Sequence, residues 1–134
     1  MRALLLRYSR MVWTLLLCSA AIAHFTHREF FVAYYPSYLP WPDVAIPATA
    51  VIEVVLAILL WLPSTVRWSW ALIAALMLCY LPVHLYVITH YSVIAHPSPA
   101  VPLWAGWVRL ILHVPLIVWP VWMGRNVRAS MATR

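Results

Sequence analysis

Charge is what this sequence has least of. Only 9% of its 134 residues are charged, against about 25% in ordinary soluble chains; lysine is missing altogether and the acids number three. A soluble domain of this size is thereby excluded. Glycine is almost as scarce. With only Gly106 and Gly124, the chain cannot build a glycine-rich loop that cradles phosphate, and it has no P-loop, dinucleotide fingerprint, HExxH or paired CxxC. Its two cysteines, Cys18 and Cys79, stand alone in separate apolar segments. A membrane dithiol relay needs an exchangeable pair, so these read as small apolar fillers. Nor is an activated nucleophile of a soluble-type hydrolase recognisable.

What remains is apolar and aromatic: 66% hydrophobic residues, with nine Trp, seven Tyr and 11 Pro. Lipid is the solvent such a composition fits. A membrane-spanning helix takes about 20 apolar residues, and four candidates use most of the chain, at residues 6–25, 44–62, 68–89 and 103–123. The predicted fold class is therefore all-α, a single four-transmembrane-helix bundle over residues 1–134. The first span is the weakest, because Arg7 and Arg10 interrupt it. It also has signal-peptide features, with Arg2 as an n-region, Leu15–Leu17 in an h-region and Ala21-Ile22-Ala23 as a small-residue cleavage site ahead of His24.

Seven of the nine arginines fall in the N-terminal stretch, the 63–67 turn and the C-terminal tail. With the first span retained, these share one side, which the positive-inside rule makes cytoplasmic. The expected topology is N-in, C-in, in a bacterial plasma membrane. Arginines split between the two ends suit anionic lipid head groups and offer no stripe to track a nucleic-acid backbone. The opposite face receives segments 26–43 and 91–102. Segment 26–43 is too aromatic for a solvated loop, with Phe30, Phe31, Tyr34, Tyr35, Tyr38 and Trp41 among Pro36, Pro40 and Pro42. A short amphipathic turn from His27 to Tyr35 and a proline-stiffened return would lie at head-group depth. It reads either as an aromatic belt anchor or as a lid over a site in the outer half. No internal repeat supports an inverted-repeat transporter.

The informative residues are the ionisable ones inside spans, each costing about 2.5–3.5 kcal/mol at mid-bilayer. Glu53 lies about 14 Å from the outer end of its span, near the midplane. Arg109 and His113 are four apart on the last span and share a face at about 9 and 15 Å depth. His84 lies about 8 Å in on the third span, and His24 caps the first. All four helices can thus feed one polar cluster. The small residues Ala105 and Gly106 would allow close packing that turns Arg109 and His113 inward. Arg109 and Glu53 form the expected pair, acting either as a ligand site or only as a register-fixing contact. Pro82 frees the carbonyl of Leu78 and Pro115 that of Ile111, so kinks near His84 and His113 would open a cavity. Tyr80, one turn from His84, is placed to join its hydrogen bonds. His27, His90 and His96 read as ordinary interfacial imidazoles. Two facing histidines can ligate haem iron, but helical depth alone does not give His84 and His113 a common centre, and no intrinsic cofactor is expected.

The run His24-Phe25-Thr26-His27-Arg28-Glu29-Phe30-Phe31, followed by Pro36-Ser37-Tyr38-Leu39-Pro40-Trp41-Pro42, resembles the first-loop signature of the DoxX-like membrane proteins. Glu53 on the second span, the Pro63-Ser64-Thr65-Val66-Arg67 turn, Pro82 and Arg109 continue the match over about residues 11–123. Departures are Arg28 where relatives often carry proline, His84 near their asparagine, and Ala and Val at second-helix glycines. The resemblance implies an intact first helix and a compact four-helix bundle. It also implies kinship with small membrane subunits of quinone-linked oxidoreductase complexes, although fold kinship does not itself supply a reaction.

Two functional expectations follow. One is an accessory subunit that binds a small apolar ligand, with quinone as the candidate. Arg109 and His113 would polarise a carbonyl, Glu53 would exchange a proton, and His84, Tyr80 and His24 would complete the site. Such a subunit would not be catalytic alone; its partners would be a membrane or soluble redox subunit, or further copies of itself. The other is a non-catalytic assembly or stabilising subunit that docks a partner through the aromatic loop. A small permease has too few helices for alternating access without oligomerisation.

Overall fold

A computed structural model describes residues 2–94 and 100–132 of the chain. Five helices run in the order α1 (Arg2–Thr26), α2 (Arg28–Ala33), α3 (Pro42–Leu59), α4 (Val66–Thr89) and α5 (Leu103–Ala132). No strand occurs among the described residues. All except α2 are long and apolar enough to cross a membrane. The boundaries depart from the expected spans at several ends. The third expected span starts at Val66 as α4, and α3 before it ends at Leu59 because a turn intervenes. In that turn the Thr65 hydroxyl donates to the Leu59 carbonyl at 2.8 Å, satisfying a group the helix end would otherwise orphan. The last helix runs nine residues beyond Met123, its final described turns carrying the buried Val127.

Proline does not interrupt these helices. Pro42 occupies the first position of α3, where its missing N–H costs nothing, while Pro47, Pro82, Pro115 and Pro120 lie inside continuous helix. Just before Pro42, Trp41 takes up a left-handed backbone at φ 54°, a conformation costing an L-residue about 1–2 kcal/mol. Its carbonyl accepts from Val44 N (3.0 Å) and Ala45 N (2.9 Å), which starts α3. An Arg28–Asp43 ion pair ties the start of α2 to the same corner.

Helix α1 packs along α3, and α4 along α5. Both pairs are antiparallel: Thr14 meets Trp61 while His24 meets Glu53, and Gly106 meets Ile88 while Gly124 meets Trp70. The pairs join where α3 touches α4 and where Trp119 of α5 packs edge-on to Trp13 of α1, centroids 6.1 Å apart, and donates to Ser9 Oγ at 3.2 Å. With α3 packed on α1 and α4, and α5 packed on α4, helices α3 and α5 stand across the bundle from one another.

The two ends of the bundle differ in chemistry. Trp13 and Leu17 of α1, Leu56 and Leu60 of α3, Trp70, Ile73 and Met77 of α4, and Met123 and Val127 of α5 form one apolar core. All but Leu17 belong to the half nearer the chain termini. Of the ionisable residues inside the spans, His24, Tyr80, His84 and His113 belong to the half nearer the 27–41 segment, and Glu53, just past the middle of α3, meets His24 and Tyr80 at its edge. Because apolar lipid supplies little hydrophobic drive between helices, close packing in the terminal half holds the bundle and leaves the loop half free to carry polar groups.

Candidate functional site

Glu53 is 1% exposed and is the hub of the first polar group. Its Oε2 lies 3.0 Å from His24 Nδ1, and its Oε1 accepts the Tyr80 hydroxyl at 2.8 Å. As a carboxylate, Glu53 thus accepts from α1 on one side and from α4 on the other. His24 is nearly buried, with its ring packed against Phe31 of α2 at a centroid distance of 4.2 Å. The short helix α2 therefore roofs the triad, because the chain turns at His27 and brings Phe31 back onto the His24 ring.

The Arg109–Glu53 pair expected from the sequence does not form. The described acids make two ion pairs, His24–Glu53 and Arg28–Asp43. The reason is geometric. Depth along a helix sets the level of a side chain, not the neighbour it meets, and Glu53 and Arg109 sit on helices that face each other across the bundle. Both Glu53 oxygens are already engaged. Tyr80, expected beside His84, points its hydroxyl to Glu53 instead.

The second polar group lies between α4 and α5. The rings of His84 and His113 meet edge to face, centroids 4.3 Å apart. His113 is 6% exposed, and neither of its ring nitrogens has a hydrogen-bond partner. His84 likewise makes no hydrogen bond among the described residues. Gly106 explains how these helices come so close, since a Cβ there would stand 3.2 Å from Ile88 Cγ1. The small-residue expectation therefore succeeds for His113, which is turned inward, and fails for Arg109, which stays exposed.

In front of His84 is a partly open chamber of about 20 Å³, lined by Tyr34, His84, Ile88, Gly106 and Arg109 among others. That is room for about one water molecule. Tyr34 is buried and its hydroxyl accepts from Val101 N at 3.3 Å. Tyr34 and Phe30, expected either in a belt anchor or in a lid over a site in the outer half, line this chamber. Their i, i+4 spacing on a short helix was the signal available. The expected single cluster is thus two: His24, Glu53 and Tyr80 from α1, α3 and α4, and His84, His113 and Arg109 from α4 and α5. Tyr80 and His84, one turn apart on α4, adjoin.

His27 and His90 join neither polar group. His90 stacks on Tyr86 at 4.3 Å and its Nδ1 lies 2.9 Å from Thr89 Oγ1; His27 is exposed. His96 lies outside the described residues. Cys18 and Cys79 are both free thiols on different helices. Among the described residues no group of three or more His, Cys, Asp or Glu could hold a metal ion. The model of a family described as a domain of unknown function (DUF8561) matches residues 13–124 of the chain. No curated protein and no solved structure matches it.

Proposed function

Since the chain belongs to the DUF8561 family, whose function is unknown, we propose a function from the site itself. The protein is a membrane subunit that binds a small apolar ligand with a hydrogen-bond-accepting head, of the quinone class, against His84 and Arg109. One observation carries the reading. A nearly buried imidazole with both nitrogens unpartnered, His113, sits directly behind a second imidazole that lines a chamber. Buried polar groups are normally hydrogen-bonded, so an orphaned pair beside an exposed guanidinium suits a partner that arrives from outside.

The chemistry follows from the donor set. Arg109 and His84 offer N–H groups, and no carboxylate lines the chamber. The remaining walls, among them Val87, Ile88 and Leu103, are apolar. An acceptor oxygen would be held by Arg109 and His84, with the His113 ring packed edge to face behind His84. The His24–Glu53–Tyr80 group is a second protic store adjoining it along α4. A small metal ion suits the site less, having two imidazoles and a neighbouring cation. Haem suits it less still, because iron ligated by two histidines stands between rings that here touch.

The DoxX-like resemblance supports placing such a subunit in a redox complex of a bacterial plasma membrane, with N- and C-termini inside and segment 27–41 outside. Electrons would come from a partner subunit. A second reading has its own observation: Trp41 and Tyr38 are 76% and 61% exposed on the corner before α3. That surface suits an assembly subunit docking a partner. Native mass spectrometry of the gently extracted protein separates the two. Under the first reading the full-length chain carries a quinone-sized adduct, and His84→Phe or Arg109→Ala lowers its retention at least tenfold without unfolding the bundle. A bare chain bound to another protein, unaffected by these substitutions, supports the second.

A further inference from the structure

The chamber in front of His84 has a neighbour. An open cleft of about 310 Å³ lies at the corner of α1 and α2, lined by Ala23, His27, Phe30 and Phe31. Phe30 also lines the chamber, so one side chain borders both spaces. Its described aromatic contacts are tilted stacking on Tyr34 at 4.8 Å and an edge contact with Phe31 at 5.5 Å. It stands on a six-residue helix that has no buried residue and no side-chain cap. Few contacts therefore oppose a rotation of its ring.

We infer that the chamber and the cleft are the head and tail subsites of one site, with Phe30 as the wall between them. The occupant this arrangement fits is an amphiphile with an acceptor head and one long apolar tail, entering from the bilayer and not from water. This inference rests on the proposed function and adds the ligand's shape and route. Size argues for it. The chamber of about 20 Å³ admits no six-membered ring, whereas ligand pockets usually offer about 300–1,000 Å³. Turning Phe30 aside would join the chamber to a space of that order. Chemistry divides the joined space in the same way. The donors Arg109 and His84 line the chamber, and Ala23, Phe30 and Phe31 give the cleft an apolar wall. Apart from Ala23 the cleft residues belong to or directly precede α2. The aromatic segment thus supplies part of the site itself.

Tail length tests this on the full-length protein in lipid nanodiscs. Two probes share one head group, a tail-less benzoquinone and the same ring with a ten-carbon tail. Ala23→Trp fills the cleft and is expected to weaken the tailed probe at least tenfold while leaving the tail-less one unchanged. Phe30→Ala removes the wall and is expected to tighten the tail-less probe, because the ring no longer has to be displaced. If both probes bind the parent protein and neither substitution distinguishes them, the inference is overturned while the proposed function stands. If neither probe binds the parent protein, the proposed function fails and takes this inference with it.

Discussion

Glu53→Leu is expected to destabilise the bundle by about 3 kcal/mol, read as unfolding in mixed detergent micelles. The substitution removes the acceptor of two buried groups, the Tyr80 hydroxyl and the His24 ring. A buried polar group left unsatisfied costs about 1–3 kcal/mol, and breaking a buried charged pair by removing one partner is of the same order. Glu53→Gln should cost far less, since an amide can accept from Tyr80 through its oxygen and donate to His24 through its nitrogen. The asymmetry gives a sharper check. Replacing the whole triad, as His24→Phe with Glu53→Leu and Tyr80→Phe, should recover most of the loss, because no member is then orphaned. If the triple variant is instead as unstable as the sum of its parts, the triad is not acting as one hydrogen-bonded unit.

Trp70→Ala is the other large effect, at about 3–5 kcal/mol. Trp70 is fully buried in the terminal half, among Trp13, Ile73 and Met123, and its Cβ lies 3.4 Å from where a Cβ on Gly124 would be. Its indole N–H has no hydrogen-bond partner, so the loss is one of packing. Trp70→Phe should therefore be mild. The division of the bundle into a packed half and a polar half adds a second expectation. Ligand affinity of the folded fraction should stay within about twofold in both Trp70 variants, since none of the chamber residues touches the core. A proportional loss of affinity and stability would mean the two halves are mechanically coupled.

The sequence carried the spans and the level of each polar residue because apolarity and the 1.5 Å rise are properties of a single helix. Glu53 and His113 were legible as inward-facing for that reason, the latter through Gly106. Partnership was not legible. Whether Glu53 meets Arg109 or His24 depends on the order of helices around the bundle, and no spacing within one helix encodes it. Arg109 and His113 share a face, yet the long Arg109 side chain stays exposed while the compact ring of His113 is buried. For Tyr34 and Phe30 the choice between belt anchor and lid stayed open for another reason. An aromatic that anchors in the head-group region and one that walls a chamber have the same composition, and only the contacts with Val101 and the space before His84 separate them. The short α2 was visible as an amphipathic turn, but its placement over His24 depends on the ring contact with Phe31.

On the proposed function, Arg109 and His84 receive a ligand head in front of His113. The most direct measurement is ¹⁵N NMR of the two imidazoles in lipid, titrated with the ten-carbon-tailed quinone. The ring nitrogens of His84 are expected to shift with added quinone, His113 to follow through the ring contact, and both shifts to vanish in Arg109→Ala. Ring signals that stay fixed through the full titration of a folded bundle would contradict the proposed function.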